Sequence, residues 1–488
     1  MATAWRIEET RWPANPPAAV HAFGGEHELA WLDSADSGAG GSRFGFVAAR
    51  PIALVEQFED QAARLVAGGR TLERHASGWH LWRAVHRRLP TLPPSRFGLA
   101  PGWVGYLGFE SARQLERLPA TRRDDFGLPT MRLALYDRGV VLDHLHRRAF
   151  AMRAPEVPHA LGLPPDGTGA ANDEDWIDCW NDAGSADREV SYDAEPQLAC
   201  DLPQVEYEQM VRRALEYIAA GDIYQVNLAQ RLRLSGIGDP LAAYAAIRSA
   251  NPAPYGALLR WDDGAIASAS PELFLQVRDG AVLTSPIKGT RPRTGDPVLD
   301  EINRRQLLDS PKDAAELAMI VDLHRNDLGR VCAYGSIRVA EPRRLEAHPS
   351  VLHTVADVCG RLAPGRDAID LLAACFPAGS VTGVPKIRAI QIIDELEPVT
   401  RGAFSGAIGA LGLDGQITFS VAIRTVQIRG QTGMLHVGGG IVADSDPADE
   451  YDETLAKARG ILDALLITNY EERMTQSRNR PGADAARR

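Results

Sequence analysis

The chain has 488 residues, of which 45% are hydrophobic and 24% are charged, and its formal net charge is −11. This is the composition of an ordinary globular protein with enough material for a large core. The acidic balance argues against nonspecific binding to nucleic acid or to an anionic membrane, because both need a basic face. Any anionic ligand must therefore be held by a local group of cations.

The predicted compartment is the cytoplasm. The opening segment MATAWRIEETRWP contains acids and lacks the continuous apolar region of a signal peptide. No later run approaches the roughly 20 apolar residues of a membrane span. The five cysteines are odd in number and have no metal-ligand spacing, which suits free thiols in a reducing compartment.

Four segments are predicted along the chain. Residues 1–158 mix strand-like runs, such as 44–49 and 133–142, with Pro and Gly punctuation. Residues 159–200 are rich in Gly, Pro and Asp without sustained periodicity, so they are predicted to be an acidic linker or insertion. Residues 201–470 carry the strongest signals and are predicted to be the principal domain. The tail at 471–488 is predicted to be disordered.

Helical and strand patterns alternate in the principal domain. Apolar residues recur at helical spacing from Val205, and Gly221 is a natural end for that helix. Short β-branched runs at 264–270, 281–287 and 417–428 predict strands. We therefore expect an α/β (α+β) fold.

Two predicted helices begin with acidic first turns. Ser310 is predicted to cap the first helix and Asp446 the second, each followed by proline. These acids can simply complement the helix dipole. Alternatively, the two helices can converge and each give carboxylates to Mg²⁺, and spacing leaves both interpretations open. The acids that share a helix face are Asp313 and Glu316 in the first helix and Glu450 and Glu453 in the second.

Several other residues suit an anionic ligand or proton transfer. Arg424 lies in an apolar run interpreted as a buried strand, so it needs an acidic partner or an anionic ligand. The amides of 438–440 can approach an anion, or these glycines can form only a tight turn. Glu272 is either a general acid with a pKa raised by burial or a strand-end acid. His353 is either a core residue or a catalyst.

The segment 285-SPIKGTRPR-293 places Lys288 between Ile287 and Gly289. Gly289 and Thr290 can turn the backbone around its ammonium. A lysine desolvated in a closed site can lose its proton and act as a nucleophile. It can instead act only through its charge, and the residues alone leave both roles open.

Ten segments occur in one order along the chain, and together they resemble the chorismate-utilising enzyme family. The resemblance runs from about residue 205 to 466, and residues 31–51 are similar to the N-terminal region of the amine-introducing members. It implies one large fold of two antiparallel β-sheets packed face to face with helices outside, and a site for chorismate and Mg²⁺. The segments are GDIYQVNLAQR, SPELF, PIKGTRPR, ELAMIVDLHRNDLGRV, SVLHTV, FPAGSVTGVPKIRAI, RGAFSGAIG, FSVAIRTV, GGGIVADSDP and EYDETLAKA.

The resemblance implies a role for each candidate residue. The implied Mg²⁺ ligands are Glu316 and Glu453, with Asp313 and Glu450 acting through water. The implied catalytic residues are Lys288, Glu272 as general acid, and His353. Phe404 stands where many members have Tyr or Trp, so a hydroxyl bond to substrate would be lost there. The implied substrate-binding residues are Gln225, Gly289, Thr290, Ser380, Phe404, Arg424, Gly438, Gly439, Gly440 and Lys457.

Two positions distinguish the activities of the family. Its water-using members have a catalytic lysine where this chain has Gln225, which cannot deprotonate water. Its anthranilate-forming members have alanine where this chain has Lys288. The resemblance therefore implies conversion of chorismate and ammonia to 4-amino-4-deoxychorismate, with anthranilate formation as the nearest alternative. An alternative of another class is a catalytically silent regulatory subunit that binds chorismate.

The ammonia is expected from a separate glutamine amidotransferase subunit. A glutaminase needs a cysteine in a Gly-flanked elbow with an activating histidine, and neither Cys332 nor Cys375 lies in such a segment. The predicted partners are therefore chorismate and that subunit, with no nucleic acid and no membrane.

Overall fold

The computed structural model describes residues 4–25, 28–35, 43–155, 157–162, 175–185, 189–349 and 351–467. The tail predicted to be disordered, 471–488, lies outside these residues. No helix within the described ranges is both long enough and apolar enough to cross a membrane.

Two antiparallel sheets, each of twelve strands in the described ranges, form the centre of the molecule. The first sheet contains, in spatial order, β1 (Arg6–Thr10), β10 (Arg148–Arg153), β9 (Arg138–Asp143), β3 (Phe44–Ala49), β2 (Leu29–Asp33), β13 (Tyr255–Trp261), β14 (Gly264–Ser270), β23 (Thr425–Arg429), β24 (Thr432–Ile441), β12 (Gln225–Ser235) and β11 (Gln197–Cys200), with β20 (Gly383–Val384) also pairing with β12.

The second sheet is built in the same antiparallel manner. It contains, in spatial order, β17 (Ile287–Pro292), β19 (Val351–Arg361), β16 (Ala281–Ser285), β15 (Leu273–Arg278), β22 (Ile417–Val421), β21 (Ala407–Gly412), β7 (Gly102–Leu107), β8 (Met131–Tyr136), β4 (Ala53–Gln57), β5 (Ala63–Ala67) and β6 (Arg70–His75), with β18 (Arg338–Ala347) also pairing with β19.

Helices cover the outer faces of both sheets. They are α1 (Pro16–Gly24), α2 (Gly78–His86), α3 (Val157–Ala160), α4 (Asp175–Ala183), α5 (Gln204–Ala219), α6 (Pro240–Ala250), α7 (Pro297–Asp309), α8 (Pro311–Gly329), α9 (Ala368–Cys375), α10 (Lys386–Leu396) and α11 (Pro447–Ala464), with 3₁₀ turns at Phe109–Gln114 and Gly379–Val381.

Apolar layers between the sheets and on their outer faces hold this arrangement together. Leu32 and Phe46 of the first sheet meet Val104 and Ile408 of the second sheet in the layer between them. The outer face of the first sheet packs against α1, α6 and α11, and that of the second sheet packs against α2, α8 and α9. The predicted fold of two sheets packed face to face with helices outside is confirmed.

The two acidic helices begin where the sequence indicates. Ser310 Oγ accepts a hydrogen bond from the backbone N–H of Asp313 at 3.2 Å, with Pro311 at the first helical position. Asp446 accepts from Ala448 and Asp449 at the start of α11. Each cap satisfies donors that a helix end leaves unpaired. Both helix starts are therefore confirmed.

Two runs predicted as single strands are each divided between the sheets. The run 417–428 leaves the second sheet after β22, turns at Arg424 (φ 50°), and enters the first sheet as β23. The run 133–142 likewise divides into β8 and β9, which lie in different sheets. The prediction that Arg424 lies inside a strand is therefore wrong. Both halves of each run are buried, so the apolar pattern continues across the break.

Part of the segment predicted as a linker is ordered and packed. Trp180 of α4 is fully buried, with its ring 5.3 Å from that of Phe23 on α1. Its indole N–H donates to the Arg11 carbonyl at 3.0 Å. Farther along, β11 pairs with β12. Trp176 and Trp180 are four residues apart, which is helical spacing. The high content of Gly, Pro and Asp in this segment outweighed that spacing in the prediction of a linker. The division of the chain into four segments stays a prediction.

A buried ion pair joins the elements that surround the candidate site. The guanidinium of Arg401, whose side chain is 1% exposed, donates to both carboxylate oxygens of Glu397 at 2.5 and 2.9 Å. It also donates to the backbone carbonyls of Val381 and Asn227 at 3.0 and 2.7 Å. One side chain therefore ties β12 to the 3₁₀ turn at 379–381.

We expect Arg401→Met to lower the free energy of unfolding by about 3–5 kcal/mol, because it leaves the Glu397 carboxylate buried without its counter-ion. Urea titration followed by circular dichroism measures the loss. The matched control is the double variant Glu397→Gln/Arg401→Met, which removes both charges and should recover a large part of the stability. A loss below about 1 kcal/mol in the single variant, as for an exposed pair, would contradict this account.

Candidate active site

The predicted site residues converge from both sheets. The second sheet supplies Lys288 and Thr290 from β17 and His353 from the neighbouring strand β19. The first sheet supplies the glycines at 438–440 from β24. Helices α8 and α11 add carboxylates, and the turn at 379–381 adds Ser380. Contacts that link these groups, described below, define one site rather than scattered positions.

Lys288 lies in the middle of this site. Its ammonium donates to the Ser380 carbonyl at 3.4 Å. Burial lowers the pKa of Lys288 below its ordinary value of 10.5, although the nearby carboxylate of Glu316 acts in the opposite direction. Desolvation favours the neutral amine, which is the nucleophilic form.

The backbone after Lys288 requires glycine. Gly289 has φ 75°, and the pairing of β17 with β19 shifts register between Lys288 and Thr290. A Cβ atom at Gly289 would lie 2.9 Å from Leu307 Cδ1 and 3.0 Å from Asp313 Cγ. The bulge therefore brings the chain against α7 and α8, and any other residue would be both strained and crowded there.

Glu272 is a buried carboxyl group close to that lysine. It is 3% exposed and lies between β14 and β15. Burial raises its pKa to about 7, although the neighbouring Ser380 and the charge of Lys288 both lower it. Within the described ranges its Oε1 atom has no hydrogen-bond partner. A carboxyl group that holds its proton near neutral pH is suited to general acid catalysis.

His353 is a neutral imidazole at the same edge of the sheet. Its Nδ1 atom is 2.9 Å from Thr290 Oγ, and the residue is 2% exposed. Burial lowers its pKa to about 3, and the charges of Arg424 and His348 act in the same direction. It therefore stays uncharged at physiological pH.

Arg424 provides a positive charge with no ion-pair partner among the described residues. Its guanidinium forms no ion pair with any carboxylate of the described chain, and burial lowers its pKa. Its charge acts on His353. Since a partly buried cation needs a counter-ion, an anionic ligand can meet that need.

Two carboxylates of α11 approach the strand β24. A Cβ atom at Gly439 would lie 2.8 Å from Glu450 Oε2 and 3.9 Å from Glu453 Oε1, so this glycine permits a close approach of α11. Burial raises the pKa of Glu316 on the facing helix α8, and the charges of Asp313 and Glu453 act in the same direction. The two acidic helices thus converge, which sequence spacing left open.

These residues fit Mg²⁺ in their chemistry, because that ion prefers a few carboxylates together with water and an anionic substrate. Glu450 Oε2 is buried and has no hydrogen-bond partner among the described residues, while Ser445 donates to Oε1 at 2.6 Å. Within the described ranges, no three of these carboxylates lie close enough together to enclose an ion. Glu453 Oε1 is instead 2.7 Å from the ammonium of Lys457.

Gln225 lies at the site, and Phe404 packs against another part of strand β24. A Cβ atom at Gly440 would lie 2.3 Å from Gln225 Nε2 and 3.5 Å from Lys288 Nζ, so these two side chains flank the same glycine. The ring of Phe404 is buried and stacks on His436, with centroids 5.4 Å apart and planes inclined by 13°.

Sequence reasoning missed one contact of the site. Arg291 Nη2 lies 3.2 Å from Asp313 Oδ2, so it links the lysine-bearing strand β17 to the acidic helix α8. Its signal was its place three residues after Lys288 within the segment PIKGTRPR.

The match to known families agrees with this geometry. Residues 30–463 match the chorismate binding enzyme family, and the chain belongs to that family. The membership predicted from the ordered segments is confirmed.

Curated relatives of two kinds are similar to this chain. It is 40% identical over 381 residues to aminodeoxychorismate synthase component 1 of Klebsiella aerogenes, which covers 78% of this chain and 81% of the relative. It is 39% identical over 370 residues to an anthranilate synthase component 1 of Haloarcula marismortui, which covers 75% and 76%. Identity alone therefore does not distinguish the two activities.

Solved structures show the same fold. The structure of anthranilate synthase component I from Streptococcus pneumoniae TIGR4 superposes with a TM-score of 0.73 at 28% identity, covering 86% of this chain and 92% of that one. The menaquinone-specific isochorismate synthase of Escherichia coli superposes with a TM-score of 0.69 at 20% identity, covering 95% of each chain. At that identity the second likeness concerns the fold alone.

Proposed function

We propose that this chain is a chorismate-aminating enzyme, component I of an aminodeoxychorismate synthase, which forms 4-amino-4-deoxychorismate for 4-aminobenzoate and folate synthesis. The observation that carries the proposal is Lys288, a desolvated lysine close to the buried acid Glu272. Relatives that make aminodeoxychorismate and relatives that make anthranilate are about equally similar to the chain. The lysine, which the sequence resemblance associates with the first activity, favours that activity.

Substrate binding follows from the local charges. Chorismate is a dianion, and the net-acidic protein must receive its carboxylates with cations and amides at the site. Arg424 has no acidic partner in the described chain and can pair with one carboxylate. Lys457, with its ammonium 2.7 Å from the Gly438 carbonyl, lies close to the amides of 438–440. Bound Mg²⁺, held by Glu316 and Glu453, would neutralise substrate carboxylate charge.

The chain's own groups then carry the substitution. The neutral amine of Lys288 adds to ring carbon 2 of chorismate, the two conjugated ring double bonds shift, and the hydroxyl at carbon 4 leaves as water with the proton of Glu272. Ammonia adds at carbon 4 and expels Lys288 by the reverse shift, and the surplus proton returns to Glu272. The balance is chorismate plus ammonia giving 4-amino-4-deoxychorismate plus water. Two displacements of lower barrier replace one difficult displacement.

Two neutral residues of the site disfavour the use of water as nucleophile. Gln225, beside Gly440, cannot act as a base. His353 can accept a proton in principle, but its pKa of about 3 makes it a weak base. Ammonia, which needs no deprotonation before it attacks, is therefore favoured over water.

Ammonia is proposed to come from a separate glutamine amidotransferase, since the relatives are named as first components. We also propose that the enzyme acts in the cytoplasm. No disulfide joins any of the five cysteines in the described residues, which suits a reducing compartment.

The pH dependence of kcat/KM should be bell-shaped at a constant concentration of free ammonia. Glu272 acts only while protonated, so its contribution is present below a pKa of about 7 and is lost as the pH rises through that value. Lys288 acts only when neutral, so its contribution grows as the pH rises toward a pKa held below 10.5. In the Glu272→Gln variant, the residual kcat/KM should no longer fall at alkaline pH. An alkaline limb that is unchanged in that variant would contradict the assignment.

Release of pyruvate tests the activity against its nearest alternative. Anthranilate formation expels the enolpyruvyl group as pyruvate, whereas amination at carbon 4 retains it. Purified chain is incubated with chorismate, ammonium and Mg²⁺, and pyruvate is measured with lactate dehydrogenase and NADH. We expect chorismate to be consumed without stoichiometric pyruvate. Equal amounts of pyruvate and consumed chorismate would favour anthranilate synthesis, and no consumption would favour the silent regulatory subunit.

A further inference from the structure

Two of the four carboxylates at the implied metal site are engaged by cations of the chain itself. Lys457 Nζ lies 2.7 Å from Glu453 Oε1. Arg291 Nη2 lies 3.2 Å from Asp313 Oδ2. The other two, Glu316 and Glu450, form no ion pair within the described chain, and Glu450 Oε2 has no hydrogen-bond partner there.

Both ion pairs occupy carboxylate oxygens that a metal ion would otherwise meet, and no three donors of the described ranges enclose an ion. The ammonium of Lys457 holds Glu453 Oε1, an oxygen that a metal ligand must offer. The same ammonium donates to the Gly438 carbonyl at 2.7 Å. It therefore lies between the carboxylate cluster and the glycines at which a substrate carboxylate would arrive.

We propose that Lys457 and Arg291 are internal counter-ions that Mg²⁺ displaces, and that the displaced Lys457 is thereby released to the substrate carboxylate. This inference rests on the proposed function, since it takes Mg²⁺ and chorismate as the ligands. The ammonium of Lys457 would be repelled by a divalent ion at Glu453 and would then turn toward the incoming anion. Arg291 is a positioning residue, because it acts through Asp313 and touches no reacting atom.

The exchange predicts that each ligand strengthens binding of the other. Chorismate gives Lys457 a new partner, so it lowers the cost of freeing Glu453 for the metal. By linkage, Mg²⁺ must then raise chorismate affinity by the same factor. If Lys457 instead only oriented Glu453 toward the metal, removal of Lys457 would weaken Mg²⁺ binding.

Isothermal titration calorimetry of Mg²⁺ into the full chain, without chorismate, tests the exchange. Lys457→Met removes the ammonium while keeping a long side chain, and we expect Mg²⁺ to bind about three- to fivefold more tightly, as for loss of an exposed ion pair. Arg291→Gln should tighten binding less, because its pair with Asp313 is longer. Repeating the titration with chorismate in a Lys288→Ala background, where no covalent adduct forms, should show coupling between Mg²⁺ and chorismate binding, and a smaller coupling factor when Lys457→Met is added.

Lys312→Met is the matched control. Lys312 is exposed on α8, and its charge acts on Glu316, Glu450 and Glu453, but it forms no ion pair with them within the described chain. It should change Mg²⁺ affinity by about twofold or less. Circular dichroism melting confirms that each variant is folded.

The titrations distinguish failure of the counter-ion exchange from failure of the proposed cofactor. Equal tightening in Lys312→Met and Lys457→Met would overturn the exchange, because net charge alone would then explain it. Unchanged or weaker Mg²⁺ binding in Lys457→Met would also overturn it and would leave the proposed function intact. Absence of Mg²⁺ binding by the native chain, with and without chorismate, would overturn both the exchange and the proposed cofactor.

Discussion

Replacing Lys288 with alanine is expected to lower kcat for 4-amino-4-deoxychorismate formation by a factor on the order of 10⁴ or more, in the range seen when a catalytic nucleophile is removed. The side chain lies at the junction of the two sheets, where burial lowers the pKa of its amine. Its removal takes away the group that bonds to the ring. Initial rates with ammonium, with product separated by chromatography, measure the loss.

Lys288→Arg separates the covalent role from the electrostatic one. Arginine keeps the positive charge but cannot be deprotonated in a protein, so it cannot attack the ring. A covalent role predicts that this variant is as inactive as Lys288→Ala. Activity of Lys288→Arg within about tenfold of that of the native chain would contradict the covalent role and would support a purely electrostatic role for Lys288. Mass analysis of intact protein incubated with chorismate and no ammonia should also show an adduct of dehydrated substrate in the native chain alone.

Glu272→Gln is expected to lower kcat by about 10²–10⁴-fold, the usual contribution of a positioned general acid. Glutamine keeps the size and hydrogen-bonding shape of the protonated acid but cannot give up a proton to the leaving hydroxyl. The KM for chorismate should change little, since Glu272 acts on the departing group. Steady-state kinetics at fixed ammonia concentration separates the two parameters.

Glu110→Gln is the matched control for Glu272. Glu110 is also a buried carboxyl whose pKa burial raises to about 7, but its oxygens accept from the backbone N–H groups of Arg401 and Gly402. It has no proposed role in proton transfer. Its replacement should affect stability more than kcat. A similar fall in kcat for both variants would indicate a structural cause and would contradict the acid role of Glu272.

Much of the fold could be predicted because its signals are local or ordered along the chain. The caps at Ser310 and Asp446, each with a proline after it, mark two helix starts that the structure confirms. The two-sheet architecture came from the ordered segments rather than from periodicity. Periodicity fails at Arg424, because a chain that crosses between two buried sheets has apolar residues on both sides of the crossing.

The site was predicted residue by residue, but its contacts were not. Resemblance supplied Glu453 and Lys457 as a metal ligand and a substrate-binding residue. It could not indicate that their side chains pair at 2.7 Å. Such pairing depends on where rotatable side chains settle, which sequence spacing does not determine. The spacing of four residues on α11 was the available signal, since side chains at i and i+4 are neighbours on a helix.

Identification of the nitrogen-labelled product tests the central claim most directly. Purified chain is incubated with chorismate, Mg²⁺ and ¹⁵N-ammonium, and the products are separated and analysed by mass spectrometry. The account predicts a product in which labelled amine replaces hydroxyl and the enolpyruvyl group is retained, and predicts its absence with Lys288→Ala. Labelled anthranilate as the main product, or unlabelled isochorismate, would contradict the account.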